Sequence, residues 1–277
     1  DKMQEIKKPI HRSLLRSKLG KEYYILKRKL NWYFGKEKFS KNKVFDEYSK
    51  LKYKNSVFKH KSMILRPLKD VDMYLQENKR ENLRIAIEHL NQIEINPGET
   101  FSIWKLIGKP TKKKGYLEGL VLKSGTVAKD IGGGLCQLGN LLFWIFAHSP
   151  LTIKERHRHG YDVFPDVNRK VPFGAGATLS YNHIDLQVKN ETNHHFKIKL
   201  WLDKTHLNGE LLSIDKMENQ YSIEERNHII KQQIWGGYSR HNQIFQLIKK
   251  ENKIIQEKII VENHAIMMYT PFIENKK

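Results

Sequence analysis

The sequence has one cysteine in 277 residues, Cys136. That excludes a disulfide framework, a cysteine-rich zinc fold and an iron–sulfur ligand set. No apolar run approaches the ~20 residues that a membrane-crossing helix needs. There is no internal repeat, no low-complexity tract, and no stretch with the charged, apolar and small-residue order of a secretory signal. Acidic residues are scarce: 30 Asp+Glu face 50 Lys+Arg, a formal charge of +20. A chain of this length can bury enough surface to fold without a cross-link or a metal.

The charge is unevenly placed. Residues 1–62 hold 19 Lys+Arg and 6 Asp+Glu, a net of +13, and the remaining 215 hold 31 and 24, a net of +7. Leu14, Leu15, Leu19, Tyr23 and Leu26 recur at helical spacing among lysines and arginines, and Trp32, Tyr33, Phe34, Phe39, Phe45, Tyr48, Tyr53 and Phe58 follow. We expect a basic helical N-terminal arm over 1–62. It either packs on the main domain with its lysines solvated or makes peripheral contact with an anionic membrane. Nucleic acid is disfavoured as a partner, because the aromatics come without an RNP or helix-turn-helix signature. As the visible sequence reads, the expected location is cytoplasmic or membrane-peripheral, or extracytoplasmic if a signal lies upstream of residue 1.

Beyond the arm, Leu83, Ile85, Ala86, Ile87 and Leu90 predict an amphipathic helix over 79–92, ending ahead of the turn Asn96-Pro97-Gly98. Gly132-Gly133-Gly134-Leu135-Cys136-Gln137 leads into a second helix, marked by Leu138, Leu141, Leu142, Ile145 and Phe146 and stopped at Ser149-Pro150. Strands are predicted at 178–181, 185–189 and 196–202, with a hairpin turn at Asn208-Gly209. Shorter strands follow at 221–223, 231–235, 244–250 and 254–261, broken by Gly236-Gly237. The expected fold is α+β: an N-terminal helical arm, a glycine-rich loop and helix carrying Cys136, then an antiparallel β-sheet. The expected units are the arm (1–62), a core domain (63–215) and a C-terminal β-rich extension packed on the core (216–277).

Cys136 is the centre of chemical interest. At a helix start, unpaired N–H groups and the positive dipole end favour a thiolate, and the same N–H groups suit an oxyanion. A thiol nucleophile needs a base, and Glu155-Arg156-His157-Arg158-His159 follows about 20 residues on. If that segment is extended, Glu155, His157 and His159 share one face and the arginines the other. His159, before Gly160, is the favoured base, with His157 close behind; Glu155 or Asp185 would orient the imidazole. We expect Gly132, Gly133, Gly134 and Gln137, with Gly176 and Thr178, to line the substrate path. A zinc site at Cys136, His157 and His159 is a lesser alternative, since no fourth ligand, Cys-x-x-Cys or His-Glu-x-x-His is present. No Gly-Lys-Ser/Thr follows the glycines, so they are not a phosphate loop. No cofactor and no bound metal are expected.

Laid out in order, these words resemble the VanW family: Asn96-Pro97-Gly98-Glu99-Thr100-Phe101-Ser102, Gly132 to Gln137, Asn140-Leu141-Leu142-Phe143-Trp144, Glu155 to His159, and Gly176-Ala177-Thr178 with Ile184-Asp185-Leu186. The resemblance spans roughly residues 80–202. It implies an envelope-linked role associated with vancomycin-type resistance, with peptidoglycan or its precursors as substrate. Some exported members of the family are L,D-transpeptidases that work through the motif cysteine, here Cys136. Many members carry Asp before the Ala-Thr pair, where this chain has Gly176, so no carboxylate role transfers to that position. Two functions stay open: a cysteine acyltransferase on peptidoglycan stem peptides, and a non-catalytic accessory or binding protein of the envelope.

Overall fold

The computed structural model describes residues 13–45, 52–65, 73–123, 126–163 and 171–271. Parts of the expected arm, 1–12 and 46–51, lie outside the described residues. The fold is α+β, as the sequence implies, and its centre is one apolar helix.

That helix is α4 (Cys136–Ala147), whose Leu138, Leu141, Leu142, Phe143, Ile145 and Phe146 are all buried. Its apolar positions recur every three to four residues and cover most of its surface, so it has to be enclosed. One side is covered by an antiparallel sheet of order β1–β10–β9–β2, made of β1 (Asn55–Met63), β10 (His206–Ser213), β9 (Phe196–Leu202) and β2 (Glu94–Ile95). Since β1 pairs with β10 from Asn55 to Met63, the last residues of the expected arm belong to this core sheet.

Asn208-Gly209, predicted as a hairpin turn, is mid-strand in β10, where Gly209 lies opposite Leu200. A side-chain carbon on Gly209 would come within 2.7 Å of Ile145 and 3.0 Å of Leu141. The glycine is there to let α4 lie close to the sheet. The turn falls at 203–205, where the Asp203 carboxylate accepts the N–H groups of Thr205 and His206 at 2.8 and 2.7 Å.

Helix α2 (Met73–Leu90) carries the predicted amphipathic pattern and starts six residues before it. It buries Leu83, Ala86 and Leu90 against the core and ends where Gln92 takes a positive φ of 70°. Short elements link it to α4: β3 (Thr100–Ser102), α3 (Ile103–Ile107), and a hairpin of β4 (Glu118–Lys123) and β5 (Thr126–Ile131). The turn at 96–98 forms as expected, with Glu99 N–H on Asn96 carbonyl at 3.0 Å and Gly98 at φ 76°. β3 joins a small sheet of order β3–β8–β6 with β6 (Thr152–Glu155) and β8 (Gln187–Lys189). Residues 178–181 are not the predicted strand. They form an irregular strap with only the Ser180–Ile184 bridge, and the strand expected from Asp185 begins at Gln187.

Three of the four short strands predicted after 215 are pieces of long ones, β11 (Gln220–Gln232), β12 (Tyr238–Lys250) and β13 (Lys253–Met267), while the one at 231–235 keeps only its first two residues in β11 and runs on into the turn before β12. Their polar residues fall on both faces, so alternation is visible only in fragments. Gly236 and Gly237, at φ 83° and 80°, turn the chain between β11 and β12. β7 (Tyr161–Asp162) adds in parallel to β13. Ile244 and Val261 enter the main core, and Gln246 donates to the carbonyls of Ala147 and Ser149 at the end of α4.

The N-terminal helix α1 (Leu14–Phe34) is capped by Ser13, which accepts the Arg16 N–H at 3.3 Å. It lies on the body through Ile25, Arg28 and Trp32. No described helix is long and apolar enough to cross a membrane.

Candidate functional site

The glycine turn ahead of Cys136 is built by close backbone approach. Gly132 and Gly134 take φ of 76° and 91°. Gly133 lies against Gly119 of β4, so that a side-chain carbon on it would sit 2.1 Å from the Gly119 carbonyl carbon. The room that three glycines leave is therefore filled by the protein's own strand. Asn82 of α2, fully buried, holds the same turn: its amide donates to the carbonyls of Leu117 and Gly133 at 3.0 and 2.9 Å and accepts the Leu117 N–H at 2.8 Å. A polar side chain on the inner face of an amphipathic helix was the only signal of Asn82 in the sequence. Gln137 donates to the Ser62 hydroxyl and the Met63 carbonyl, both at 2.9 Å, and so ties α4 to the end of β1.

Cys136 is the first residue of α4, as predicted. Its sulfur pairs with one residue of the strap: the Leu179 N–H donates to Sγ at 3.5 Å, and the thiol donates to the Leu179 carbonyl at 3.7 Å. Burial raises the thiol pKa, opposed by the N–H groups of Leu179 and of Cys136 itself. Among the described residues, no imidazole nitrogen hydrogen-bonds the sulfur.

The strap begins upstream of 178, at Gly174, and is gripped along 174–179. Asn140 accepts the Ala177 N–H at 2.9 Å, and a side-chain carbon at Gly176 would fall 2.4 Å from that same Asn140 oxygen. Gly139 lets the helix approach, since a carbon there would meet the Ala177 carbonyl at 2.8 Å. From the other side, Arg156 lies 5.1 Å over the Phe143 ring and donates to the carbonyls of Gly176, at 2.7 Å, and Gly174. Burial and neighbouring Arg158 pull its pKa down to about 9, so it stays protonated at neutral pH.

Arg156, not a histidine, is thus the side chain from 155–159 shown against α4. β6 ends at Glu155, yet alternation continues far enough to put Arg156 and Arg158 inward, the latter 4.0 Å over Phe173, and leave His157 exposed. The backbone does bring the histidines to the strap. Thr178 N–H donates to the His157 carbonyl at 2.8 Å, and His159 N–H donates to the Thr178 hydroxyl at 3.0 Å. His159 is half-buried, and burial with Arg158 nearby lowers its pKa, so its ring is neutral at pH 7. Cys136 and His159 therefore engage adjacent strap residues, Leu179 and Thr178.

The two carboxylates serve other partners. Glu155 receives Arg28 of α1 at 2.8 and 2.6 Å and the Asp185 N–H at 2.9 Å; the His157 ring is 3.8 Å away. Asp185 is fully buried and accepts from the Ser102 hydroxyl at 2.6 Å, Gln187 at 3.1 Å, and the N–H groups of Trp104 and Leu186 at 3.2 and 2.9 Å. Its described contacts include no imidazole. Burial raises its pKa to about 6 against the pull of the Ser102 hydrogen bond and of Arg28, 3.5 Å away. Arg28 had no local signal in a lysine-rich helix.

Among the described residues no group of three His, Cys, Asp or Glu side chains could hold a metal, so the zinc alternative finds no ligand set. A hollow of about 330 Å³ between 153–156 and 260–262 is lined by Arg156 but not by Cys136, His157 or His159.

Residues 78–212, which hold the glycine turn, Cys136, the strap and Asp185, match the family of VanW-like proteins. This segment is VanW-like. It is 41% identical over 152 residues to the vancomycin B-type resistance protein VanW of Enterococcus faecalis, covering 55% of each chain. It is 28% identical over 123 residues to the uncharacterized protein YoaR of Bacillus subtilis, covering 44% of this chain and 39% of that one. No solved structure matches. The VanW-family segment runs from within α2 to within β10, and it takes in all of α4.

Proposed function

We propose that this chain is a cell-envelope protein associated with glycopeptide resistance, and that its VanW domain performs cysteine-dependent acyl transfer of the L,D-transpeptidase type on peptidoglycan stem peptides. The likeness to the Enterococcus faecalis resistance protein motivates the first half. One observation carries the second: Cys136 opens α4 with its sulfur turned to backbone N–H groups, next to a strap residue whose neighbour binds the segment of His159. In this reading an extended stem peptide takes the place of the Leu179 backbone. The sulfur attacks a peptide carbonyl, and N–H groups at the helix start hold the developing oxyanion. Neutral His159 accepts the thiol proton and returns it to the leaving amine. The acyl group then passes from sulfur to the amine of a second stem peptide.

A second reading has its own observation. The thiol pKa is raised, and the sulfur is satisfied by backbone alone, as in a structural cysteine. On that reading the domain is a non-catalytic accessory or binding module of the envelope. Purified protein incubated with muropeptides separates the two. New cross-links that vanish in Cys136→Ala support acyl transfer. No cross-links, with resistance retained by Cys136→Ser in cells, sinks it in favour of the accessory role.

A further inference from the structure

Among the described residues, helix α1 meets the body by one side only. Ile25, Arg28 and Trp32 fall on that side, and the Tyr24 ring meets His183 at 5.4 Å. At about 100° per residue, Leu15, Leu19, Tyr23, Leu26, Leu30 and Tyr33 share an arc of about 80° diametrically opposite. Every one of these is exposed, from 48% for Leu30 to 81% for Tyr33, and Phe34 continues the stripe at 83%. A helix of 21 residues makes this stripe about 30 Å long. Packing among the described residues accounts for none of it, and contiguous apolar surface of this kind marks an interaction site.

Charge says what covers it. Arg16 and Lys27 flank the stripe along one edge and Lys18 and Lys29 along the other, all exposed. The helix has one acid, Glu22, against six Lys+Arg. An apolar face rimmed on both edges by cations is the pattern of a helix lying in a bilayer surface: side chains enter the acyl boundary and lysines reach anionic headgroups. A protein groove would have to supply acid along both edges of a 30 Å strip, whereas an anionic lipid surface offers it everywhere.

We propose that α1 is a membrane-surface helix that seats the protein, Arg28 side up, on an anionic bilayer. This goes beyond the acyl-transfer reading and shares no residue with it. The test is sedimentation of the purified chain with vesicles of phosphatidylcholine alone or mixed with phosphatidylglycerol. The expected result is binding to the mixed vesicles only. Leu19→Glu with Leu26→Glu, and separately Lys18→Glu with Lys29→Glu, should each weaken that binding about tenfold or more without changing the circular dichroism. The proposal is overturned if the wild-type chain stays in the supernatant with the mixed vesicles, or if Leu19→Glu/Leu26→Glu binds like wild type. It is equally overturned if sedimentation velocity shows a dimer that this variant converts to monomer, for then the stripe is covered by a second copy of the chain.

Discussion

Arg28 and Glu155, 127 residues apart in sequence, form a two-pronged ion pair at 2.8 and 2.6 Å, with 14% and 21% of their side chains exposed. The same guanidinium donates to the carbonyls of Asn182 and His183 at 2.8 and 3.3 Å. One arginine therefore fastens α1 to two neighbouring parts of the VanW-like segment, the end of β6 and the 182–183 turn. Removing one partner of a mostly buried pair leaves the other uncompensated, so Arg28→Ala should cost about 2–4 kcal/mol. Urea unfolding measures this, and limited proteolysis should show α1 released before the body. Glu155→Gln should give a smaller loss in the same direction.

Asp185 makes stability depend on pH in an unusual direction. Its folded pKa, about 6, lies above the value of 3.8 expected when unfolded. Between those values the folded state holds more protons than the unfolded state, so this group's contribution is full below pH ~4 and lost as pH rises through ~6. Wild type should lose up to about 3 kcal/mol relative to Asp185→Asn across that window and then level off. Paired denaturation curves from pH 4 to 7 check it. A difference that grows in wild type's favour as pH rises would contradict the assignment.

The glycines give a graded series. Gly133→Ala drives a methyl into the Gly119 backbone, at 2.1 Å, where nothing flexible can give way. Gly209→Ala meets only side-chain ends, at 2.7–3.1 Å, and Gly160→Ala meets nothing within 4 Å. Losses of about 3 kcal/mol or more, about 1–3 kcal/mol and under about 0.5 kcal/mol should follow in that order. Thermal melts rank the three.

Cys136 should be slow to alkylate. With Cys136 half-buried, its sulfur held by the Leu179 backbone and its thiol pKa raised, iodoacetamide should label native protein more slowly than urea-unfolded protein, with the rate still climbing above pH 8. Arg156→Ala removes the clamp on the carbonyls of Gly174 and Gly176. It should loosen the strap and raise the native labelling rate about tenfold. Mass spectrometry of timed samples reads both. An unchanged rate in Arg156→Ala would show that the strap does not control access to the sulfur.

What the sequence revealed and what it hid divide along a physical line. α4, its cysteine, α2 and the 96–98 turn were legible because each is written locally, as a 3.6-residue apolar period or a Pro-Gly pair. Gly209 misled, since Asn-Gly has one appearance whether it turns a hairpin or clears space for a helix; only Leu141 and Ile145 above it decide. Arg28, Asn82 and Arg156 are invisible as site residues because their partners lie 18 to 155 residues away. The strap has the composition of a strand, but its order comes from Asn140, Arg156 and Cys136 rather than from a ladder.

The pairing of β1 with β10 changes how the basic arm can be studied. A deletion ending at residue 62 looks natural from charge alone. It would strip an outer strand from the core sheet, take away the Ser62 contact of Gln137, and leave Glu155 and Asp185 without their arginine. Cells carrying such a truncation would report a damaged core rather than a missing arm. Genetic dissection has to proceed by point changes on the outer stripe of α1, where the body of the protein has nothing to lose.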